Sequence, residues 1–441
     1  MKHLQFKVLS VLIVFLLIGA VTTSTAIFLD AKKQSFVSST KINQLDIANN
    51  DPKIETILEM INESLLREYL EILVGYGPRL TGTYSCQKSA EYIYQQFKKM
   101  GLKTRYQNWT TFGNRYHPRL FKSQNVEGKL KGSDLTSDKI ILFNAHYDTV
   151  KASPGANDDG SGTAAVLAAA YVLSNFEFSH TLKFITFSGE EVGTLGSHVY
   201  AKEAYEQNDN IMVEINADMI GHAETAEGGR RMGITATEDA GWILDVVENI
   251  NTDCRINFQI NIGEIDREGR GWGDYHPFVE YGYEALACWG GEHDQNMHTP
   301  KDDINNVNFS YLVNTTRILA GTLAYLADNY ETYPQVRIVS PKFGKLYFEG
   351  REIHNIDDLK TIVIDDIWIW IDVKCATVPI ERAEFYYGNK LEYTDNEPPF
   401  KWHLNKLSIR KHRITVVVYD NLGRKSSDRR DIRFINLLKN R

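Results

Sequence analysis

Five side chains of the types that bind metal ions occur in order along this chain. They are His146 in NAHYDTV, Asp158 in GANDDGSG, Glu191 in FSGEE, Asp218 in INADMIG and His298 in MHTPKDD. The first four each follow an apolar, strand-like run, and open α/β sheets collect ligands at the carboxyl ends of their strands. Carboxylate and imidazole ligands without thiolates suit zinc, with cobalt or manganese as substitutes. The order therefore predicts a metal-dependent enzyme.

Two further carboxylates stand next to these candidate ligands. Glu190 is adjacent to Glu191, and hydrolysis at a metal needs one carboxylate as ligand and another free to move a proton. Asp148 follows His146 by two residues, and a metal-bound imidazole usually donates its other N–H to a carboxylate or carbonyl. Taken alone, each motif more often lies in a solvated loop or caps a helix than takes part in catalysis. Their joint occurrence in this order favours catalysis.

The segments between these motifs alternate between strand and helix patterns. Strands are predicted at 139–145, 181–187, 210–217 and 283–289, and an Ala-rich helix is predicted from Ser161. Other helices are predicted from Pro52 through Leu66, over 85–100 with Gly101 as the cap, and over 311–330. Strand, helix and strand at this spacing predict a largely parallel, buried sheet. The fold class is therefore α/β, with helices on both sides of the sheet.

The chain changes character after Pro334. The segments IWIWIDV and ITVVVY show a repeat of two residues, which is typical of strands with one buried face. About seven short strands in roughly 105 residues favour a small β-sandwich.

The amino-terminal segment is apolar and has a basic start. Lys2, His3 and Lys7 precede a run from Val8 to Leu29, and about 20 such residues cross a bilayer. The small residues at 22–26 leave a cleaved signal peptide as the alternative. Either interpretation predicts an extracytoplasmic protein, anchored in a membrane or secreted.

Length, net charge and cysteine content limit the possible domain number, partners and disulfide bridges. A chain of 441 residues is long enough for two domains. The net charge of −8, without a long basic run, argues against a nucleic-acid partner. Four cysteines without CxxC spacing do not make a disulfide framework, although the sequence allows a bridge between Cys254 and Cys288. Three other histidines, His222, His276 and His293, are weaker ligand candidates with expected packing or rim roles.

Six motifs together resemble a known family. GPRLTG, AHYDT, NDDGSG, SGEE, ADMIG and HTPKDD, over about residues 52–330, are similar to the zinc-dependent exopeptidases of metallopeptidase family 28. The resemblance implies an aminopeptidase with two zinc ions and peptide substrates. In it, Asp158 bridges the two ions, His146 and Asp218 complete one site, and Glu191 and His298 complete the other.

The same resemblance assigns the neighbouring residues. Glu190 corresponds to the general base, Asp148 to the partner of the first histidine, and the peptide bond Asp158–Asp159 is expected to be cis. Several family members have Tyr before the second histidine as an oxyanion donor, whereas this chain has Met297. Tyr275 is a candidate substitute.

These inferences divide the chain into four parts: 1–29 as anchor or signal peptide, 30–51 as linker, 52–333 as peptidase domain and 334–441 as sandwich. EPPFKW and HRITVVVYDNLGRKS give the last part a resemblance to immunoglobulin-like modules. Alternatives to an aminopeptidase on this fold are a carboxypeptidase, a glutaminyl cyclase or a receptor-like ectodomain without catalysis.

Overall fold

A computed structural model of the chain describes most of the residues that follow position 51. The described ranges are 52–114, 116–237, 240–265, 273–330, 334–356, 361–374, 378–421, 423 and 425–436. The predicted anchor or signal peptide, the predicted linker and Cys375 lie outside the described residues.

The first part of the described chain alternates helices with strands. The helices are α1 (Pro52–Met60), α2 (Glu63–Gly75), α3 (Tyr84–Lys99), α4 (Gly160–Leu173), α5 (Leu195–Glu206), α6 (Gly241–Asp253), α7 (Tyr275–Glu280) and α8 (Phe309–Asn329). The strands are β1 (Lys103–Phe112), β2 (Leu120–Leu130), β3 (Lys139–His146), β4 (Thr181–Phe187), β5 (Asn210–Ala217), β6 (Arg231–Ala236), β7 (Gln259–Glu264) and β8 (Ala285–Gly290).

These strands form one sheet in the order β1-β2-β4-β3-β5-β8-β6-β7. The inner pairs β4–β3, β3–β5 and β5–β8 are parallel, as is the edge pair β6–β7. The pairs β1–β2, β2–β4 and β6–β8 are antiparallel. Helices cover both faces of the sheet: α1, α2, α3, α4, α6 and α8 contribute to the core on one side, and α5 and α7 pack on the other. The predicted α/β class with a mostly parallel sheet is confirmed.

The pattern that begins at Pro52 gives two helices rather than the single predicted one. Asn62 separates them, because its side chain accepts a hydrogen bond from the amide of Leu65 at 3.1 Å and caps α2. Asn is among the residues favoured at a helix N-cap. The strands β1, β2, β6 and β7 also extend the sheet beyond the strands that the sequence predicted.

The chain after Pro334 forms two all-β sheets. Its strands are β9 (Gln335–Ser340), β10 (Lys345–Phe348), β11 (Arg351–Asn355), β12 (Ile362–Ile364), β13 (Ile367–Lys374), β14 (Ile380–Tyr387), β15 (Lys390–Asp395), β16 (Lys401–Leu404), β17 (Lys411–Asp420) and β18 (Lys425–Ile435). One sheet has the order β11-β10-β12-β18-β17-β14-β15 and the other β16-β13-β9. A shared apolar core lies between them. The β-sandwich is confirmed, with more strands than predicted, and its immunoglobulin-like character stays a prediction.

Aromatic and cationic side chains join the sandwich to the α/β layer. The Arg337 guanidinium lies over the Tyr205 ring at 4.6 Å and donates to Asn208 Oδ1 at 3.0 Å. The buried Arg430 guanidinium lies 3.6 Å from the centre of the Phe343 ring, which packs against Tyr205. These contacts connect β9 and β18 with the carboxyl-terminal end of α5.

The disulfide bridge between Cys254 and Cys288 that the sequence allowed does not form, because both are free cysteines; Cys254 caps the end of α6 and Cys288 is buried in β8. Within the part of the chain that is described, no helix has the length and apolar character needed to cross a membrane.

Candidate metal centre and active site

The five predicted ligands meet in two groups that share Asp158. One group is His146, Asp158 and Asp218, and the other is Asp158, Glu191 and His298. In the first, His146 Nε2 lies 3.4 Å from Asp158 Oδ1 and 3.8 Å from Asp218 Oδ1. In the second, His298 Nε2 lies 3.0 Å from both Asp158 Oδ2 and Glu191 Oε2. The two oxygens of one carboxylate therefore face different groups.

The sheet and its loops bring these residues to one edge. His146 is the last residue of β3, and Asp218 follows β5 directly. Glu191 lies in the loop that leads from β4 to α5, and His298 lies between β8 and α8 in a left-handed backbone conformation, with φ of 62°. The prediction that Asp158 follows a strand end is wrong. It lies in the loop just before α4, and its peptide bond to Asp159 is cis as expected.

Asp159 connects three of the ligand-bearing segments. One carboxyl oxygen accepts from the His146 amide at 3.1 Å. The other accepts from Gly162 at 2.9 Å and from Met219, the residue after Asp218, at 3.1 Å. The same carboxylate therefore caps α4 and fixes the ends of β3 and β5 relative to one another.

The Asp148 carboxylate makes its hydrogen bonds to neighbouring loops rather than to the imidazole of His146. His146 Nδ1 contacts the backbone carbonyl oxygen of Asp148 at 3.1 Å, while the Asp148 carboxylate is 3.7 Å away. The carboxylate accepts from the Thr81 hydroxyl at 2.6 Å and from the Glu190 amide at 3.3 Å. The expected carboxylate partner of His146 is thus corrected to a carbonyl partner, and Asp148 positions the segment that carries Glu190.

Asp302 and Arg79, to which no role was assigned from the sequence, hold the loops around Asp158 in place. The Asp302 carboxylate accepts from the backbone amides of Asn157 at 2.7 Å and Asp158 at 3.1 Å. Arg79 is completely buried and donates to the carbonyl oxygens of Tyr147, Pro154 and Gly155 at 2.6–2.8 Å. Both lie inside motifs that carried the family resemblance, HTPKDD and GPRLTG, which was the available signal.

The donor atoms fit metal ions. In each group the candidate ligand atoms all lie within 4.8 Å of one another. Asp218 Oδ1 is buried and has no hydrogen-bond partner within the described part of the chain, an arrangement that is costly unless a cation or proton compensates it. Imidazole nitrogens and carboxylate oxygens are ligands that zinc accepts.

The carboxylates of the two groups raise the pKa of both imidazoles, His146 and His298, although burial acts to lower the pKa of each. Hydrogen bonds to Asp158 and Glu191 raise the pKa of His298 to about 10. Burial acts to raise the pKa of Asp158, but the hydrogen bonds from His146 and His298 outweigh it and hold that pKa far below its ordinary value. The site therefore favours positive charge at both imidazoles, which is the charge distribution that bound cations would satisfy.

Glu190 lies beside the two groups and has different surroundings. Burial raises its pKa well above the ordinary value, the charge of His146 opposes this, and Asp274 and Asp218 raise it further. Asp274 was not singled out from the sequence; it is buried directly before α7, and burial raises its pKa to about 7. Two carboxyl groups with high pKa values thus lie close to the candidate ligands.

The remaining sequence candidates lie outside the two groups. His222 Nδ1 contacts the Asn306 carbonyl oxygen at 3.1 Å, and His276 is 3.5 Å from Glu280. His293 is exposed. Tyr275 is the first residue of α7 and packs against a small apolar cluster, and its role as an oxyanion donor in place of Met297 stays a prediction.

The family model "Peptidase family M28" matches residues 125–323, a segment that includes all five candidate ligands and Glu190. Residues 125–323 are thus similar to peptidase family M28. Aminopeptidase Y from Saccharomyces cerevisiae is 28% identical over 231 residues, covering 49% of this chain and 41% of that protein. The chain thus spans less than half of the length of this relative.

Solved structures share the fold of the α/β part of this chain. BSAP, a zinc aminopeptidase from Bacillus subtilis, superposes with a TM-score of 0.53 at 18% identity, covering 61% of this chain and 96% of that one. A glutaminyl cyclase from Fimbriiglobus ruber superposes with a TM-score of 0.52 at 17% identity, covering 60% and 95%. At these low identities the superpositions establish the fold alone. The reaction has to be inferred from the residues of the site.

Proposed function

We propose that this protein is a zinc-dependent aminopeptidase that removes N-terminal residues from peptides. The observation that carries the proposal is the division of the Asp158 carboxylate between two sets of ligand atoms. The names of similar proteins, an aminopeptidase from yeast and a zinc aminopeptidase from Bacillus, support the same reaction and metal.

The two groups of side chains would hold one zinc ion each. His146 and Asp218 would complete the first site, Glu191 and His298 the second, and Asp158 would bridge them. When bound, the ions would polarise the scissile carbonyl and lower the pKa of an attacking water molecule. Three protein ligands at each site leave a further coordination position open, as catalytic zinc sites require.

Glu190 would act as the general base and then as the general acid. Its carboxylate accepts a proton as water oxygen attacks the carbonyl carbon, and the same proton then passes to the leaving amide nitrogen as the C–N bond breaks. Burial raises the pKa of Glu190 in the metal-free site, and bound cations would act in the opposite direction, towards the ionised carboxylate that a general base requires. The Glu190 amide donates a hydrogen bond to the Asp148 carboxylate, which helps to fix the backbone that carries Glu190.

Glutaminyl cyclisation is the second candidate, because a glutaminyl cyclase has the same fold. The five-ligand set with its shared carboxylate favours two ions and peptide hydrolysis. A carboxypeptidase is a third possibility on this fold, and a receptor-like role without catalysis would leave the complete ligand set without a purpose.

The test combines metal analysis with product analysis. The purified protein is assayed for zinc per chain and for amino acids released from a panel of peptides, with and without a chelator. We expect about two zinc ions and stepwise release from the amino terminus that the chelator abolishes. Release from the carboxyl terminus, cyclisation of N-terminal glutamine, or a folded protein without bound metal would each contradict the proposal.

We also propose that the M28 domain and sandwich lie outside the cytoplasm, tethered by or cleaved from the segment 1–29. The basic start and the apolar run from Val8 to Leu29 support this placement. Cell fractionation with N-terminal sequencing of the mature protein tests it. Recovery of the full-length chain in the cytosol would contradict it.

A further inference from the structure

The loop that connects β16 with β17 in the sandwich exposes two aliphatic side chains. Leu407 and Ile409 have 54% and 68% of their surface accessible to solvent. The apolar residues that form the core of the same sandwich are at most 8% accessible. Single exposed apolar residues are ordinary on protein surfaces, so the meaning of this pair depends on how the loop holds it and on what surrounds it.

Hydrogen bonds hold this loop in one conformation. The Ser408 amide donates to the Asn436 carbonyl oxygen at 3.0 Å, and the Asn436 amide donates back to the Ser408 carbonyl oxygen at 2.8 Å, as in an antiparallel bridge. The Ser408 hydroxyl contacts Nε2 of His412 at 2.6 Å. Because side chains alternate along an extended chain, Leu407 and Ile409 lie together on the side opposite to Ser408. The loop therefore presents a fixed apolar pair.

Unpaired positive charges lie beside this apolar pair. Arg410 and Lys411 follow it directly and are exposed, and the register between β17 and β18 places Lys411 opposite Arg433, which is also exposed. Like charges directly opposite each other on neighbouring strands are destabilising. The next basic residue, Arg413, is paired with Asp431 at 3.0 Å. Among the described residues, the three cations at 410, 411 and 433 have no such partner.

The combination of these features indicates the kind of partner. The chain carries a net charge of −8, so a group of unpaired cations is not a general property of its surface. The cations require an anionic partner, and aliphatic side chains that project from a loop require an apolar layer that they can enter. A bilayer with anionic lipids offers both, since its headgroups attract Lys and Arg and the boundary of its acyl chains accepts apolar side chains.

We propose that the loop 405–411, together with Arg433, docks the sandwich on a bilayer that contains anionic phospholipids. Leu407 and Ile409 enter the boundary between headgroups and acyl chains, and the three cations lie at the level of the phosphates. This inference rests on the proposed placement outside the cytoplasm, in which segment 1–29 brings the chain to a membrane. A single weak membrane contact is reversible, and a basic patch added to an apolar anchor makes attachment stable.

The experiment measures amide hydrogen exchange of the full chain in three conditions. These are no lipid, nanodiscs of phosphatidylcholine, and nanodiscs of phosphatidylcholine mixed with phosphatidylglycerol. The readout is local protection of residues 405–411, so it is independent of whether segment 1–29 inserts. Each Lys or Arg near an anionic surface strengthens attachment about fivefold. We therefore expect the loop to exchange about 100-fold more slowly on the anionic nanodiscs than in the other two conditions.

The apolar contribution is tested by a double substitution. Leu407→Ser with Ile409→Ser should abolish the protection on anionic nanodiscs. Exchange of this variant without lipid should equal that of the wild type, which shows that the loop keeps its fold. The matched control is Ile353→Ser, because Ile353 is 56% accessible on β11 at the far edge of the larger sheet. This control should keep the full protection.

The charge contribution is tested in the same way. Arg410→Gln with Lys411→Gln should lower the protection on anionic nanodiscs about 25-fold, as expected for the loss of two cations. The matched control is Lys98→Gln with Lys99→Gln, which removes the same charge from exposed positions at the end of α3. It should leave the protection of the loop unchanged.

Equal exchange of the loop in all three conditions would overturn the proposal, and so would equal protection by neutral and anionic nanodiscs. Protection by soluble polyglutamate as strong as that by anionic nanodiscs would also overturn it, in favour of an acidic protein partner. Cell fractionation decides the placement separately. If the full-length chain is recovered in the cytosol but the anionic nanodiscs protect the loop, the placement fails while the docking loop stands.

Discussion

The strands of the α/β sheet and those of the sandwich bury their residues in different ways. In β4 every residue is buried, and in β3 and β5 only the first residue is not. In β13, by contrast, Ile367, Ile369 and Ile371 are buried, whereas Trp368 and Trp370 between them are exposed. The first pattern arises because helices cover both faces of the sheet, and the second because the sandwich has one solvent face.

This difference changes what a polar residue means in each region. At the end of a strand that is buried on both faces, a carboxylate must be paired, protonated or bound to a cation. On the outer face of the sandwich, the ion pair of His403 with Asp366 at 2.6 Å is partly exposed and needs no ligand. The same residue types therefore predict chemistry in one region and only solvation in the other.

The largest expected effect concerns Glu190, the proposed general base. Glu190→Gln should lower turnover about 100- to 10,000-fold while zinc content stays at the wild-type level, because the amide cannot accept the proton. Steady-state kinetics and metal analysis measure both quantities. The control is Glu397→Gln in the sandwich, an exposed position, which should behave as wild type. Near-normal turnover of Glu190→Gln would remove Glu190 from the mechanism.

Two histidines that each contact a carboxylate provide the next comparison. His298→Ala should weaken zinc binding by at least about 10- to 100-fold, since even partners of metal ligands matter this much. His403→Ala should leave zinc binding unchanged. Dialysis against graded zinc concentrations followed by elemental analysis measures the difference. An unaltered zinc stoichiometry in His298→Ala would exclude this histidine as a ligand.

The pH dependence of the metal-free protein gives a smaller effect. The folded-state pKa of His298 is raised from 6.5 to about 10 by Asp158 and Glu191. Its contribution to stability is therefore complete below pH 6.5 and is lost as the pH rises through about 10. The chelated protein should lose stability over this window more than His298→Ala does. Zinc binding at pH 7 should also release a proton from His298, which titrations in buffers of different ionisation enthalpy will detect.

The smallest effects concern one strand of the sandwich. Ile369→Ala removes a fully buried side chain and should cost about 2–5 kcal/mol in the free energy of unfolding of that region. Trp368→Ala, one residue away on the outer face, should change it by only about 0.5 kcal/mol. Urea denaturation measures both variants. Similar losses in the two variants would show that the outer face of β13 is covered.

The sequence predicted the parts of this fold whose signals are local. The strands at 181–187 and 210–217 agree with β4 and β5 to the residue, because continuous apolar runs between polar loops mark strands buried on both faces. β1 was missed, since KTRYQNWTTF is a half-buried edge strand with a mixed pattern. The break at Asn62 was missed because apolar spacing continues through it.

The candidate ligands were named correctly as a set that converges, although their role as ligands stays a prediction. The supporting contacts were not foreseeable to the same degree. Arg79 donates to three carbonyl groups about 70 residues away, and no spacing rule relates such distant segments.

The hydrogen bond between Asp302 and the amide of Asp158 joins residues 144 positions apart. During synthesis at about 5–20 residues per second, roughly 7–30 s separate the emergence of these two residues. A nascent chain that already displays His146, Asp158 and Asp218 still lacks His298 and the carboxylate that fixes the Asp158 loop. If the two groups hold zinc as proposed, both sites would be complete only after residue 302 has been synthesised, and metal capture would depend on the zinc supply in the compartment where folding finishes.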